Sequence, residues 1–144
     1  MSSEFSLTPF AARAVKPWGE EIIFTPPGLA RTGKILRVSA GKRLSLQYHD
    51  AKEETMCLLS GEAVLELEDA NGRLQAVPMV QHRGYTVRIG QKHRLAAVTE
   101  AWITEVSDPE RGRTFRLADD YGRPHETETA RLAARENLGG KTPP

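Results

Sequence analysis

The chain has 144 residues, the size of one typical domain, so we expect one fold and one site. Its 20 Lys and Arg and 19 Asp and Glu residues are scattered and give a formal net charge of +1, which excludes a broad electrostatic footprint for nucleic acid or an anionic membrane. The single cysteine excludes a disulfide framework, and we see neither a leader-like N-terminus nor a membrane-spanning apolar run, so we expect a cytoplasmic protein.

After an N-terminal arm of residues 1–15, short runs of β-branched and aliphatic residues alternate with Gly, Pro, Asn and Asp, which predicts strands. Regular spacing of short strands is typical of a β-sandwich or a β-barrel, which we place at residues 16–110. The predicted strands are Glu20–Thr25, Thr32–Ser39, Leu44–His49, Glu54–Ser60, Ala63–Glu68, Arg73–Val77, Tyr85–Ile89, His93–Val98 and Trp102–Ser107.

Two local features stand out among these elements. Asp69-Ala-Asn-Gly72 lies between two predicted strands and supplies the positive φ of a tight hairpin. In the predicted tail, residues 111–144, the segment Glu126–Leu138 is rich in helix formers, has acidic residues early and Arg late, and is followed by two glycines. We therefore predict a short helix near 126–138, and poor order at residues 1–12 and 139–144.

Four polar residues have a spacing that suggests a metal site. Gln47 and His49 are two residues apart on a predicted strand, so both side chains leave the same face. Glu54 opens the next strand after a short turn, and His93 opens a later one. Two imidazoles, a carboxylate and an amide oxygen suit one divalent ion such as Zn, Mn, Fe, Co or Ni.

The same residues carry a family resemblance. Gly41, Gln47, His49, Glu54 and Gly61 have the spacing of the first cupin motif, with Gln in place of its first His, and Gly90-x-x-His93 is similar to the core of the second motif, although its proline is Arg88 here. The resemblance implies an all-β fold, a single-domain cupin with a double-stranded β-helix or jelly-roll barrel and a short C-terminal helix. It also implies that Gln47, His49, Glu54 and His93 are the metal ligands.

Within the cupins, the chain resembles the stand-alone phosphomannose-isomerase-like domains, similar to the C-terminal domain of type II mannose-6-phosphate isomerases. Asp50–Met56 replaces that group's His-rich stretch, so specificity for mannose 6-phosphate does not carry over directly. The residues that carry this resemblance are Lys16–Gly19, Arg43–His49, Lys92–Leu95 and Arg116–Arg123.

Further candidate site residues follow from the alternation of side chains along the strands and from charge. Arg43 is an even number of residues away from Gln47 and His49, so on a regular strand its side chain would leave the same face. We therefore expect Arg43 to face the same cavity and hold a phosphate or carboxylate; a salt bridge at the rim is the equal alternative. Lys34 and Glu105, on flanking strands, are candidates for proton transfer, and otherwise surface charges. Additional substrate-binding candidates are Lys92, Tyr121 and Arg123.

The leading hypothesis is a metal-dependent sugar-phosphate isomerase or epimerase, in which a base moves a proton between neighbouring carbons. One alternative is a non-catalytic cupin that binds a sugar or another metabolite and acts in regulation, and another is a metal-dependent dioxygenase. We expect a small-molecule ligand, a sugar or sugar phosphate. We also expect a homodimer, because an open-ended barrel has an edge to cover.

Overall fold

Twelve strands and one helix make up residues 5–138, the part of the chain that the computed structural model describes. The predicted poor order at residues 1–4 and 139–144 lies outside the described residues. The strands and the helix are β1 Ala12–Lys16, β2 Gly19–Ile23, β3 Thr32–Val38, β4 Leu46–His49, β5 Glu54–Ser60, β6 Ala63–Glu68, β7 Leu74–Pro78, β8 Gly84–Val87, β9 His93–Ala97, β10 Ala101–Ser107, β11 Thr114–Ala118, α1 Glu128–Ala133 and β12 Glu136–Asn137.

The strands form two antiparallel sheets. One sheet has seven strands in the order β12-β1-β2-β3-β10-β5-β8, and the other has five in the order β11-β4-β9-β6-β7. Side chains alternate between the two faces of each strand, and the buried positions of both sheets face one interior. The predicted all-β fold, a jelly-roll barrel with a short C-terminal helix, is confirmed.

All nine predicted strands occur, with ends shifted by up to about two residues. The predicted hairpin at Asp69–Gly72 is also present, between β6 and β7. The Asp69 carboxylate accepts hydrogen bonds from the backbone N–H groups of Asn71, at 2.9 Å, and Arg73, at 3.0 Å. Gly72 has a φ of +77°, as the turn requires.

Three strands are absent from the prediction: β1, β11 and β12. The sequences of β1 (ARAVK) and β12 (EN) consist mostly of residues that are depleted in strands. The sequence of β11 (TFRLA) contains the strand formers Thr and Phe but lies in the segment that was predicted as a tail. Pairing with neighbours decides their conformation, since β1 lies between β2 and β12 and β11 pairs with β4. The sheets therefore extend beyond residues 16–110 on both sides.

The helix is shorter than predicted. It covers six residues, with Thr127 as the N-cap, and the chain then turns to pair with β1. The buried Leu138 donates its N–H to the Ala11 carbonyl at 2.7 Å, so a longer helix would lose this contact. Within residues 5–138, no helix is long and apolar enough to cross a lipid bilayer.

The barrel interior is apolar at one end and charged at the other. Lys34 of β3 lies opposite Glu105 of β10, and Glu54 of β5 lies opposite Ser107, so these inward positions share one end of the seven-stranded sheet. Burying a leucine contributes roughly 2 kcal/mol, whereas a buried charge costs several kcal/mol unless it is paired. The charged end is thus the costly end, and it contains the site. The apolar inward positions of the same strands are Leu36, Val38, Met56, Leu58, Ala101 and Ile103.

Candidate metal centre

Three strand ends bring His49, Glu54 and His93 together. His49 ends β4, Glu54 begins β5 after a four-residue turn, and His93 begins β9. The Glu54 Oε1 atom lies 3.2 Å from His49 Nε2 and 3.0 Å from His93 Nε2. One ligand atom from each residue lies within 4.8 Å of the others, and all three residues are buried.

The other ring nitrogens fix how the imidazoles are turned. His93 Nδ1 lies 3.0 Å from the Gln91 carbonyl oxygen, which can only accept, so Nδ1 donates to it and Nε2 faces Glu54. His49 Nδ1 lies 3.0 Å from Thr114 Oγ1 on β11. Burial lowers the pKa of His49 to about 4 although Glu54 opposes this, so the ring is neutral at pH 7.

The two Nε2 atoms and the Glu54 carboxylate oxygen converge, and Nδ1 of each ring is held by an outer hydrogen-bond partner. Two imidazole nitrogens and a carboxylate that converge in this way are stabilised by a cation. Two imidazoles oriented by outer hydrogen bonds and one carboxylate fit a divalent transition ion. These three residues therefore fit one metal ion.

Gln47 lies beside this group. It is opposite His93 in the β4–β9 pair, and its Nε2 lies 3.4 Å from His93 Nε2. Its Oε1 accepts a 2.6 Å hydrogen bond from the Ser45 hydroxyl. A rotation of the amide by half a turn exchanges its oxygen and nitrogen, and the hydroxyl can then accept, so an oxygen ligand is available at this position.

A network of buried charges continues from Glu54 into the barrel. The Lys34 ammonium contacts the carboxylates of Glu21, Glu105 and Glu110. Burial alone would lower the pKa of Lys34, but the charges of Glu21 and Glu105 outweigh it and raise that pKa. Lys52 lies 3.7 Å from both Glu54 and Glu110.

Two carboxyls of this network have opposite pKa shifts. Burial by itself raises the pKa of Glu21, but Lys34 and Lys16 outweigh it and bring the value to about 2. Burial and the nearby charge of Glu54 raise the pKa of Glu105 to about 8. Glu21 is therefore charged at pH 7, while Glu105 exchanges a proton near neutral pH.

These groups line one small cavity with a volume of about 70 Å³. A cavity of this size holds a few water molecules or the reacting end of a ligand, because one water needs roughly 10–15 Å³ by the same measure. Its deeper wall has the buried residues and its outer wall has partly exposed ones. The lining residues are Lys16, Trp18, Glu21, Lys34, Leu36, Leu44, Gln47, His49, Lys52, Glu54, Glu105, Thr114, Arg116, Arg123 and Glu126.

Searches of protein-family models and of curated proteins found no match. Solved structures do match. KdgF from Halomonas sp. has a TM-score of 0.59 at 13% identity, over 67% of this chain and 85% of that one. Oxalate decarboxylase from Bacillus subtilis has a TM-score of 0.66 at 19% identity, over 81% of this chain and 33% of that one. The capsular polysaccharide assembling protein CapF from Staphylococcus aureus has a TM-score of 0.60 at 14% identity, over 86% of this chain and 32% of that one.

All three are cupin-fold proteins. The chain has the cupin fold. It spans about a third of the length of oxalate decarboxylase and of CapF, and most of the length of KdgF. Another oxalate decarboxylase structure, with a TM-score of 0.65 at 17% identity over 81% of this chain and 34% of that one, is described by its Mn(II) centres. Together with the His-Glu-His group, these findings support a metal-binding cupin.

Relative to this cupin cavity, the predicted site residues fall into two sets. The cavity lining includes three of the four predicted ligands, Gln47, His49 and Glu54, together with the predicted proton-transfer residues Lys34 and Glu105 and the predicted binding residue Arg123. The fourth predicted ligand, His93, is not part of the lining, but its Nε2 lies 3.0 Å from Glu54 Oε1.

The other predicted binding residues lie outside. The regular alternation of side chains does not extend to Arg43, because β4 begins only at Leu46. Arg43 instead forms a bidentate hydrogen-bonded pair with Asp120, at 2.7 and 2.8 Å. Lys92 is exposed. The hydroxyl of Tyr121 donates to the Arg43 carbonyl at 3.0 Å, and its ring lies beneath the Arg123 guanidinium.

The residues of the cavity wall that sequence reasoning did not select include Glu21, Lys52, Thr114 and Arg116. Glu21 had a signal, because it alternates with the buried Ile23 on a predicted strand and so faces the core. Thr114 and Arg116 lie in the segment that was predicted as a tail, where no strand was expected. Lys52 lies in the turn between β4 and β5, where the sequence has no alternation that indicates which way a side chain points.

Proposed function

We propose that this cupin binds one divalent metal ion through His49, Glu54, His93 and Gln47. The convergence of two buried imidazole nitrogens and one buried carboxylate on the same point carries this proposal. The ion's identity stays open among Zn, Mn, Fe, Co and Ni, since nitrogen and oxygen ligands suit each of them. The Mn(II) centres of oxalate decarboxylase are one precedent within the fold.

We further propose that the protein is a phosphomannose-isomerase-like cupin that isomerises or epimerises a small phosphorylated sugar. When bound, the ion would polarise an oxygen of the ligand. Glu105, deep in the cavity, is the proposed base that moves a proton between carbons, and the Lys34 ammonium holds its carboxylate in place. The cavity is small, so the sugar would enter by its reacting end with its phosphate towards the mouth.

Binding without turnover is the second candidate. Lys34 is already engaged by Glu21, Glu105 and Glu110, so the deep charges are paired before any ligand arrives. A cavity with this arrangement can recognise a sugar or another metabolite by hydrogen bonds and charge without exchanging a proton.

Metal content and proton exchange test these proposals together. We expect about one equivalent of metal by elemental analysis of the purified protein and none in His49→Ala/His93→Ala, with exposed His82→Ala as the control.

We expect the metal-loaded protein to exchange the C2 proton of a hexose or pentose phosphate with deuterium from solvent. Glu105→Gln should lose the exchange and keep the metal, whereas the exposed Glu100→Gln should keep both.

Equal metal content in the wild type and the double His variant would overturn the metal site. Metal binding without C2 exchange on any common hexose or pentose phosphate would reject the isomerase and leave the binding protein. Oxygen consumption by an iron-loaded sample would instead favour a dioxygenase.

We propose a homodimer through the outer face of the seven-stranded sheet. This face exposes Val15, Phe24, Leu59 and Val106, whose side-chain exposures run from 41% to 71%, next to a row of alternating charges. The row is Arg13–Glu20–Arg37, joined at 2.6 and 3.3 Å, so its carboxylate is already paired within one copy, and a second copy related by a two-fold axis would present the same apolar side chains. Light scattering should give a dimer mass that Val106→Glu halves and Val98→Glu leaves unchanged; a monomer mass for the wild type would contradict the proposal.

A further inference from the structure

The outer wall of the cavity is unusually rich in cations. Lys16, Arg116 and Arg123 line it together with one carboxylate, Glu126, and their side chains keep between 11% and 19% of their surface exposed. The deeper Lys34 and Lys52 are different, because each lies among buried carboxylates. The outer cations are therefore the ones that an incoming ligand meets first.

Strand pairing places Arg116 next to the proposed metal ligands. In the β4–β11 pair, Arg116 lies opposite Gln47, and Thr114 lies opposite His49. Side chains directly opposite each other in an antiparallel pair leave the same face with Cβ atoms about 5 Å apart. The Arg116 guanidinium thus extends along the cavity wall from a position beside Gln47.

Arg116 has hydrogen-bonding capacity left over. Its Nη1 donates to the Pro124 carbonyl at 2.7 Å, and its Nη2 donates to Glu126 Oε2 at 3.4 Å, which is long for a charged pair. Its Nε is buried and has no hydrogen-bond partner among residues 5–138. A buried donor without a partner is costly, so a ligand oxygen at this place would be stabilising.

The charges at the mouth are also unbalanced. Glu126 is shared by three cations: Lys16 at 3.5 Å, Arg116 at 3.4 Å and Arg131 at 3.1 Å. Arg123 has its own partner, Asp119, at 2.8 Å. Lys16 also lies 3.7 Å from Glu21, a carboxylate that it shares with Lys34, whereas Arg116 and Arg131 have no second carboxylate partner among the described residues. The mouth therefore carries an excess of positive charge that an anion would balance.

We infer that Arg116, with Lys16 beside it, binds an anionic group of the ligand, a phosphate or a carboxylate, at the mouth of the cavity next to Gln47. The planar guanidinium offers paired donors that match either oxyanion. This role falls to Arg116 because Arg43 and Lys92 lie outside the cavity lining. The inference rests on the proposed ligand binding in this cavity, and it extends that proposal by naming the residue that selects an anionic ligand.

Anion binding can be measured without the metal. Full-length protein treated with a chelator would be titrated calorimetrically with inorganic phosphate in one arm and with malonate in the other. We expect one saturable site for at least one anion, and the tighter of the two shows whether the group is phosphate or carboxylate. Arg116→Gln should weaken binding at least tenfold, Arg116→Lys should weaken it less, and Arg73→Gln, an exposed control, should match the wild type.

Glu126→Gln removes the carboxylate that competes for Arg116, so we expect this variant to bind the anion several-fold more tightly. The Glu126→Gln variant still tests the inference if Arg116→Gln does not fold. The inference is overturned if the wild type binds neither anion, if Glu126→Gln does not tighten binding, or if Arg43→Gln loses binding while folded Arg116→Gln keeps it. Metal content measured in the same variants separates the two proposals, because Arg116→Gln should retain the metal even where anion binding is lost.

Discussion

At the scale of single residues, the proposed metal ligands could be selected from the sequence, but the residues that support them could not. The two-residue spacing of Gln47 and His49 on a strand was enough to place both on one face, and the short turn to Glu54 brought the carboxylate back. Thr114, which orients His49, lies 65 residues further along the chain. No local pattern connects such a pair, so only the folded strand pairing reveals it.

Thr114 provides a direct test of how the His49 ring is oriented. Thr114→Val keeps the shape of the side chain but removes the hydroxyl that forms a hydrogen bond with His49 Nδ1, so the ring loses the contact that fixes its direction. We expect the metal dissociation constant to rise by about 10-fold to 100-fold, measured by competition with a chromophoric chelator. Thr86→Val, on the outer face, is the matched control, and an unchanged affinity in Thr114→Val would contradict the role.

The buried Glu21–Lys34 pair should make stability depend on pH in acid. The folded pKa of Glu21, about 2, is below its ordinary value of 4.5, so the pair stabilises the fold above about pH 4.5 and loses this contribution as the pH falls towards 2. We expect the free energy of unfolding in urea to fall less steeply between pH 5 and pH 2.5 in Glu21→Gln than in the wild type. Glu62→Gln, an exposed position, should keep the wild-type slope; equal slopes in all three proteins would refute the assignment.

At the scale of elements, prediction succeeded where the pattern was local. Alternating apolar residues between turn residues gave β2 to β10, and Asn71-Gly72 gave the hairpin. The strands β1, β11 and β12 depend on partners distant in sequence, and the helix ends early because β12 pairs with β1. The C-terminal part therefore belongs to the barrel, although its composition resembles a tail.

The two glycines of the first motif, Gly41 and Gly61, differ in the space that surrounds them. Both have positive φ, +75° at Gly41 and +84° at Gly61, but a Cβ at Gly61 would collide with the backbone of Glu100, whereas nothing lies within 4 Å of a Cβ at Gly41. We expect Gly41→Ala to lower the free energy of unfolding by about 1 kcal/mol, from backbone strain alone. Gly61→Ala should cost clearly more, and equal losses in urea denaturation would contradict the steric argument.

At the scale of the whole molecule, the proposed metal site joins the two sheets. Gln47, His49 and His93 come from the five-stranded sheet, and Glu54 comes from the seven-stranded sheet. An ion bound by all four acts only in the folded chain, because the unfolded chain does not hold these residues together. Metal binding and global stability are thus linked.

Removal of the ion should destabilise the entire fold. At a free ion concentration of about 100 times the dissociation constant, binding adds about 2.7 kcal/mol, which corresponds to a rise in Tm of roughly 5–10 °C for a chain of this size. We expect a calorimetric scan to show this rise in the wild type and not in His49→Ala/His93→Ala. The same rise in both proteins would mean that the ion binds elsewhere.

The outer wall of the cavity has one further consequence, which follows from its place in the chain. Thr114, Arg116, Arg123 and Glu126 all belong to one stretch of thirteen positions after β10, whereas the proposed metal ligands lie between positions 47 and 93. The part that meets the ligand and the part that holds the ion are therefore inherited separately. We expect substitutions at Arg116, Arg123 and Glu126 to change which molecule is accepted, while Thr114, which contacts His49, has to be kept to preserve the proposed metal site.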